Sequence, residues 1–180
     1  MPQQSQPVYT DRTLVTEDQI QKLMDERKRI PDVPFNVAHE WVTISTSDFV
    51  LTRENAAGEE EFMLVFRAEE PFGNTWFVPG GRWNCGEHPL DACLRHLKRE
   101  LGVTDVKPEF VDFLSVWNPW SEARGIWHSV WHLYRVPVGL DQVITKNTEA
   151  SKTEWFTHVD ESWPDPVREA LHMLGFKVRM

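Results

Sequence analysis

Gly80 and Gly81 close the run Trp76-Phe77-Val78-Pro79, and the charged residues Arg82, Glu87, Arg95, His96, Arg99 and Glu100 follow without interruption. Glycines at such a turn let the backbone take turn conformations and approach a ligand closely. A metal ion or a phosphate can meet bare carbonyls or amides there. His96, Arg99 and Glu100 are three and four positions apart, so a helix carries them on one face. Glu87, one turn ahead, is placed to pair with Arg95 or to offset the positive end of the helix dipole. A helix of this composition alone reads as a solvated charged surface. Joined to a glycine turn, it reads as a site for an anionic ligand or a cation.

The elements that must position these residues follow from periodicity. Leu90, Leu94, Leu97 and Leu101 recur at three- and four-residue intervals, which predicts an amphipathic helix over Pro89 to Leu101, ended by Gly102, with His96, Arg99 and Glu100 opposite its core face. A short aromatic strand, Thr75 to Val78, leads into the turn. Further strands are expected at Trp41 to Thr46, Glu61 to Arg67, Glu109 to Val116, Ile126 to Pro137 and Lys152 to Phe156. A turn-rich segment through Asn55 and Gly58 separates the first two. A loop from Ala68 to Asn74 and another from Asn118 to Gly125 separate later ones. Asp165 to Leu174, after Pro164, is a closing helix. Met1 to Arg12 reads as a tail, and Thr16 with Gln19 forms a capping-box signature for a helix through Ile20, Leu23, Met24 and Arg27 that stops before Pro31. The expected organisation is therefore residues 1–35 as tail and helix and 36–180 as one domain. Strands on both sides of a helix, with a second helix near the C-terminus, fit an α/β (α+β) fold layered as an α/β/α sandwich.

Composition limits the partners. The 180 residues suffice for one domain with its own core. A net charge of -9 disfavours a nonspecific nucleic-acid or anionic-membrane surface, so an anionic substrate has to be held by local arginines or by a cation. Two cysteines, Cys85 and Cys93, do not make a disulfide framework. With no signal-peptide core and no long apolar run, the expectation is a cytoplasmic protein. Nine tryptophans are many for this length. Trp76, Trp83, Trp117, Trp120, Trp127, Trp131 and Trp155 fall in or after the glycine turn, where large rings pack cores and pair across strands; stacking on a base or a sugar ring is their other use.

The stretch from Gly81 to Val103 resembles a Nudix box, G-x5-E-x7-R-E-U-x-E-E-x-G-U with U aliphatic: Gly81, Glu87, Arg95, Leu97, Glu100, Gly102 and Val103 stand at the required offsets. His96 and Arg99 replace two of its glutamates. The resemblance implies the Nudix fold, a mixed sheet between helices, and hydrolysis of a diphosphate linked to another group. Leu64-Val65-Phe66-Arg67, Pro71, the run from Trp76 to Arg82, and Phe113 to Trp117 are most similar to the GDP-mannose mannosyl hydrolase branch, whose box departs at the same places. That similarity implies one divalent ion, magnesium or alternatively manganese, held by the Gly80 carbonyl, Glu100 and Glu149. It also implies that Arg67, Arg82 and Arg95 lie near the pyrophosphate or support the box.

The departures restrict the chemistry. Arg99 puts a cation where the wider superfamily has a metal ligand, and repulsion between adjacent cations in a low-dielectric site disfavours a cluster of ions; Arg99 would instead neutralise phosphate charge. His96 replaces the usual base and belongs to the residue type that titrates near neutral pH. The branch's loop histidine is replaced by Ala150, and a second one by Pro119. His128 and His132, four apart on one face of a predicted strand, and His96 are the candidates to take over proton transfer. Three readings follow: a magnesium-dependent hydrolase of a nucleotide sugar such as GDP-mannose; a pyrophosphohydrolase in which water attacks phosphorus of another nucleoside diphosphate derivative; and a noncatalytic nucleotide-sugar-binding domain. The partner in each is a small diphosphate, and the oligomeric state stays open between monomer and homodimer.

Overall fold

The computed structural model describes residues 42–68, 73–84, 86–118, 127–145 and 150–178. Strand β1 (Ile44–Glu54) is the axis of the sheet. Along one edge its first half pairs antiparallel with β4 (Gly80–Arg82) and its second half with β2 (Glu60–Arg67). Its other edge runs parallel to β6 (Trp127–Pro137) over the full register Ile44↔Ser129 to Thr52↔Pro137. Strand β5 (Glu109–Asn118) pairs antiparallel with β6 on its outer side. Strands β3 (Thr75–Phe77) and β7 (Ala150–Phe156) both pair antiparallel with β2. The result is one mixed seven-stranded sheet.

Two apolar layers sandwich it. Helix α1 (Pro89–Leu101) packs Cys93, Leu97 and Leu101 against Phe49, Leu51, Met63, Val65, Tyr134 and Val136. Helix α2 (Asp165–Met173) packs Val167, Ala170 and Leu171 against a layer that includes Val50, Phe62, Leu64, Leu133 and Trp163. Successive residues of β1 serve opposite layers, because strand side chains alternate. Phe49, Val50 and Leu51 are all fully buried as a consequence. This α+β sandwich agrees with the expected fold.

Three expectations about its elements need correction. The first strand does not stop at Thr46 but runs to Glu54; burial on both faces removes the polar alternation by which a strand is recognised. Gly80–Arg82, read as a turn, is itself a short strand. Leu94, counted on the core face of α1, is exposed, whereas His96 and Glu100, placed opposite that face, are 2% and 9% exposed. The helix lies across β1 and β4 rotated toward its polar side, so the buried arc takes in both groups. Helix α1 otherwise has the expected limits: His88 caps its start, its Nδ1 accepting from the Leu90 amide, and Gly102 ends it at φ 65°. The expected N-terminal tail and helix lie outside the described residues.

Candidate active site

The register of β1 with β4 puts Ser47 opposite Gly81 and Asp48 opposite Gly80. Gly80 adopts φ 149°, and a Cβ there would lie 2.5 Å from the Ser47 carbonyl oxygen and 2.7 Å from Asp48 Oδ1. Only glycine meets both demands. At Gly81 a Cβ would sit 2.5 Å from His96 Cε1, so the imidazole of α1 lies directly on the β4 backbone.

His96 joins strand to helix. Its Nε2 donates to the Arg82 carbonyl at 3.0 Å, and its Nδ1 lies 2.8 Å from Glu100 Oε1. Because a carbonyl only accepts, Nε2 is the donor to Arg82. Arg99 Nη2 donates to the same Oε1 at 2.7 Å. Glu100 is thereby held on one oxygen by two basic groups. Arg95 completes the frame: Nε and Nη2 clasp the two oxygens of Glu87 at 2.7 Å each, and Nη2 also donates to the Arg82 carbonyl at 2.8 Å. With the Asn84 amide bonded to Glu87 Oε2 at 2.7 Å, the Arg95 guanidinium holds the Glu87 carboxyl down to about 2. The expected Glu87–Arg95 pair is present and locks the loop between β4 and α1.

Asp48 is a residue that reading the sequence missed. It is 5% exposed and accepts a hydrogen bond from Thr46 Oγ1. Burial holds its carboxyl well above the ordinary carboxylate range; the charge of Glu100 adds to the rise, while the Thr46 bond and the Arg67 guanidinium oppose it. Glu100 and Arg67 thus each lie within electrostatic reach of Asp48, which stands in register with Gly80. The available signal was an acid entering the apolar run Phe49-Val50-Leu51. Arg67 stacks over the Phe77 ring at 5.1 Å and stands in register with Ala150. Glu149, the implied third ligand, lies outside the described residues.

The other histidines belong to a different part of the same sheet face. His128 is bonded through Nε2 to Ser115 Oγ at 2.8 Å and faces Thr43 Oγ1 through Nδ1 at 3.3 Å. His132 is packed among rings, and burial lowers its pKa although the Thr46 and Val130 backbones favour the charged form. Cys93 is buried under α1, which pushes its thiol far above the ordinary range and leaves it unreactive.

The residues at the turn fit a divalent cation. Two carboxylates beside a glycine strand are hard oxygen donors of the kind magnesium and manganese take. Among the described residues no group of three or more His, Cys, Asp and Glu side chains is placed to hold a metal ion by itself. Two carboxylates and a carbonyl leave positions for water and phosphate oxygens, as magnesium binding generally does.

The model of the NUDIX domain matches residues 45–172. The chain belongs to the NUDIX domain family. This is the family of the NUDIX hydrolases, and the fold agrees. A MutT NUDIX hydrolase from Burkholderia pseudomallei has a similar structure at a TM-score of 0.62 and 16% identity, covering 74% of this chain and 98% of that one. The NUDIX domain of Shewanella oneidensis NrtR, solved as a complex with ADP ribose, gives 0.53 at 23% identity, with 88% of each chain covered. A MutT/nudix family protein from Enterococcus faecalis gives 0.55 at 24% identity over 82% of this chain, which spans 58% of that protein's length. No curated protein matches the sequence. Among the described residues, no helix of this NUDIX protein is long and apolar enough to cross a membrane.

Proposed function

We propose that this NUDIX hydrolase cleaves a nucleoside diphosphate linked to another group, with one divalent cation, magnesium or manganese, held by Glu100, Asp48 and the Gly80 carbonyl. The observation that carries this reading is the placement of two buried acids, Asp48 and Glu100, within reach of each other's charge at a strand that only glycine can form. A bound cation of this kind supplies charge stabilisation for a departing diphosphate. The chain's own residues do the rest. Arg67 and Arg82 frame the glycine strand, and Arg99, bonded to Glu100 and 48% exposed along its side chain, adds positive charge where a phosphate would lie. His96 is a positioning residue: buried, with both nitrogens engaged, it sets the carboxyl of Glu100 and the carbonyl of Arg82 and has no nitrogen left to activate water.

The finer reading is a nucleotide sugar such as GDP-mannose, attacked at the sugar carbon. It rests on the resemblance across residues 64–103. The NrtR domain bound to ADP ribose adds a second nucleoside-diphosphate-linked sugar to test. Turnover of GDP-mannose, ADP-ribose and a dinucleotide is measured with magnesium and with manganese in oxygen-18 water. Label in the sugar means attack at carbon, and label in phosphate means attack at phosphorus. If well-folded protein binds these compounds and turns over none of them, the hydrolase reading gives way to the noncatalytic one.

A further inference from the structure

The face of β5 and β6 beyond the end of α1 is aromatic and open. Phe110, Phe113 and Trp117 are 49%, 55% and 67% exposed. Phe113 meets the His132 ring edge-on at 4.5 Å between centroids, and Trp83 meets the same ring at 4.3 Å. His132 Nδ1 is buried without a hydrogen-bond partner, so the imidazole serves here as one more flat ring. Phe110 continues the cluster at 5.0 Å from Phe113.

Position relates this cluster to the glycine strand. Gly81, Ser47, His132 and Phe113 are successive register partners on four adjacent strands. They form one row across a single face, and at about 4.8 Å per strand the row runs about 14 Å from Gly81 to Phe113. Trp83 bridges its middle, following Arg82 in the chain and donating from Nε1 to Ser47 Oγ at 2.8 Å. Ser47 Oγ in turn donates to the Pro89 carbonyl at the start of α1. The rings are therefore tied to the same strand and helix start that carry the diphosphate residues. The patch also has a polar centre: Ser115, between Phe113 and Trp117 on this face, is bonded to His128. Flat π-faces around a hydrogen-bonding pair match a heteroaromatic ring with polar edges better than an apolar side chain.

The geometry points to a base-stacking platform: Phe113 and Trp117, backed by His132 and Trp83, take the base of the nucleotide, with Ser115 and His128 at the base edge. The orientation rests on the diphosphate reading above, since a base on Phe113 directs its phosphates along the row toward Arg82 and Gly81. The opposite occupant, a second copy of the chain, would need no polar pair at the centre.

Calorimetric binding of GDP, ADP and inorganic pyrophosphate, each with magnesium, is compared for the natural protein, Phe113→Ala, Trp117→Ala and Phe113→Tyr. Stacking losses on alanine substitution are typically enough for about tenfold in affinity. Each alanine variant should weaken GDP and ADP about tenfold, leave pyrophosphate unchanged, and show the same melting temperature, while Phe113→Tyr retains affinity. Equal losses for pyrophosphate and nucleotides, or nucleotide affinity unchanged in both alanine variants, would overturn the platform. So would a shift from dimer to monomer in sedimentation with nucleotide affinity intact. Ring-dependent nucleotide binding without any turnover would keep the platform and remove the hydrolase reading instead.

Discussion

Glu87, in the loop after β4, and Asp48, in register with the first residue of that strand, are two carboxyls with opposite surroundings. Glu87 meets a bidentate guanidinium and a backbone amide, and its pKa is driven down to about 2. Asp48 is buried with one hydroxyl, the charge of another buried acid and only an opposing contribution from Arg67, and burial drives its pKa the other way. A fully paired carboxylate stabilises the fold and has nothing left to offer a ligand. A buried acid beside a like charge costs stability, and a bound cation offsets that cost. Site and lock can thus be told apart by charge balance even though the box pattern singles out only Glu87.

The sharpest break of this contrast is at Glu100. Glu100→Gln should lower kcat/KM by about 100-fold or more, because losing even an outer partner of a metal ligand costs 10- to 100-fold; full activity would remove Glu100 from the site. Glu87→Gln should act on the fold instead, costing about 2 kcal/mol at neutral pH once solvent screening of the half-buried Arg95 is allowed for. The folded-state pKa of Glu87 is depressed, so its stabilisation is present above its unfolded value of 4.5 and lost as pH falls toward about 2. Urea melts of the two proteins should therefore converge at the acid end while manganese affinity stays equal.

Asp48→Asn should move stability the other way. A raised folded-state pKa means that the folded protein binds more protons than the unfolded chain above 3.8, so stability falls as pH rises from there through the folded value. Removing the charge should raise the melting temperature at neutral pH and weaken manganese binding about tenfold, read by electron paramagnetic resonance. A variant both less stable and unchanged in affinity would make Asp48 an ordinary core residue. The smallest effect is expected at Arg99→Gln, about threefold in KM with kcat nearly kept, since an exposed pair contributes under about 1 kcal/mol.

Legibility from sequence followed the range of the interactions. Helix α1 depends on neighbours in the chain and is found by periodicity, and its pair Glu87–Arg95 is one of the two roles that Glu87's place a turn ahead of the helix allows. Asp48 depends on the register of β1 with β4, and no spacing in the sequence brings Asp48 to Gly80. The burial of His96 and Glu100 was missed because a charged face reads as solvated until the rotation of the helix over the sheet is known. The link from Trp83 to His132 and Phe113 likewise exists only across four strands. Composition drew attention to the tryptophans without saying which would remain open to a ligand.

The parallel ladder between β1 and β6 has a kinetic consequence. Its register joins Ile44 to Ser129 and Thr52 to Pro137, so the strand carrying Ser47 and Asp48 receives its partner only after most of the domain's chain has emerged. Closing so long a loop is an entropic cost met before the contacts form. During synthesis, Ser47, Asp48, Gly80 and Glu100 can all have left the ribosome while β1 still lacks its parallel neighbour, and a truncation before β6 should yield a chain that does not refold.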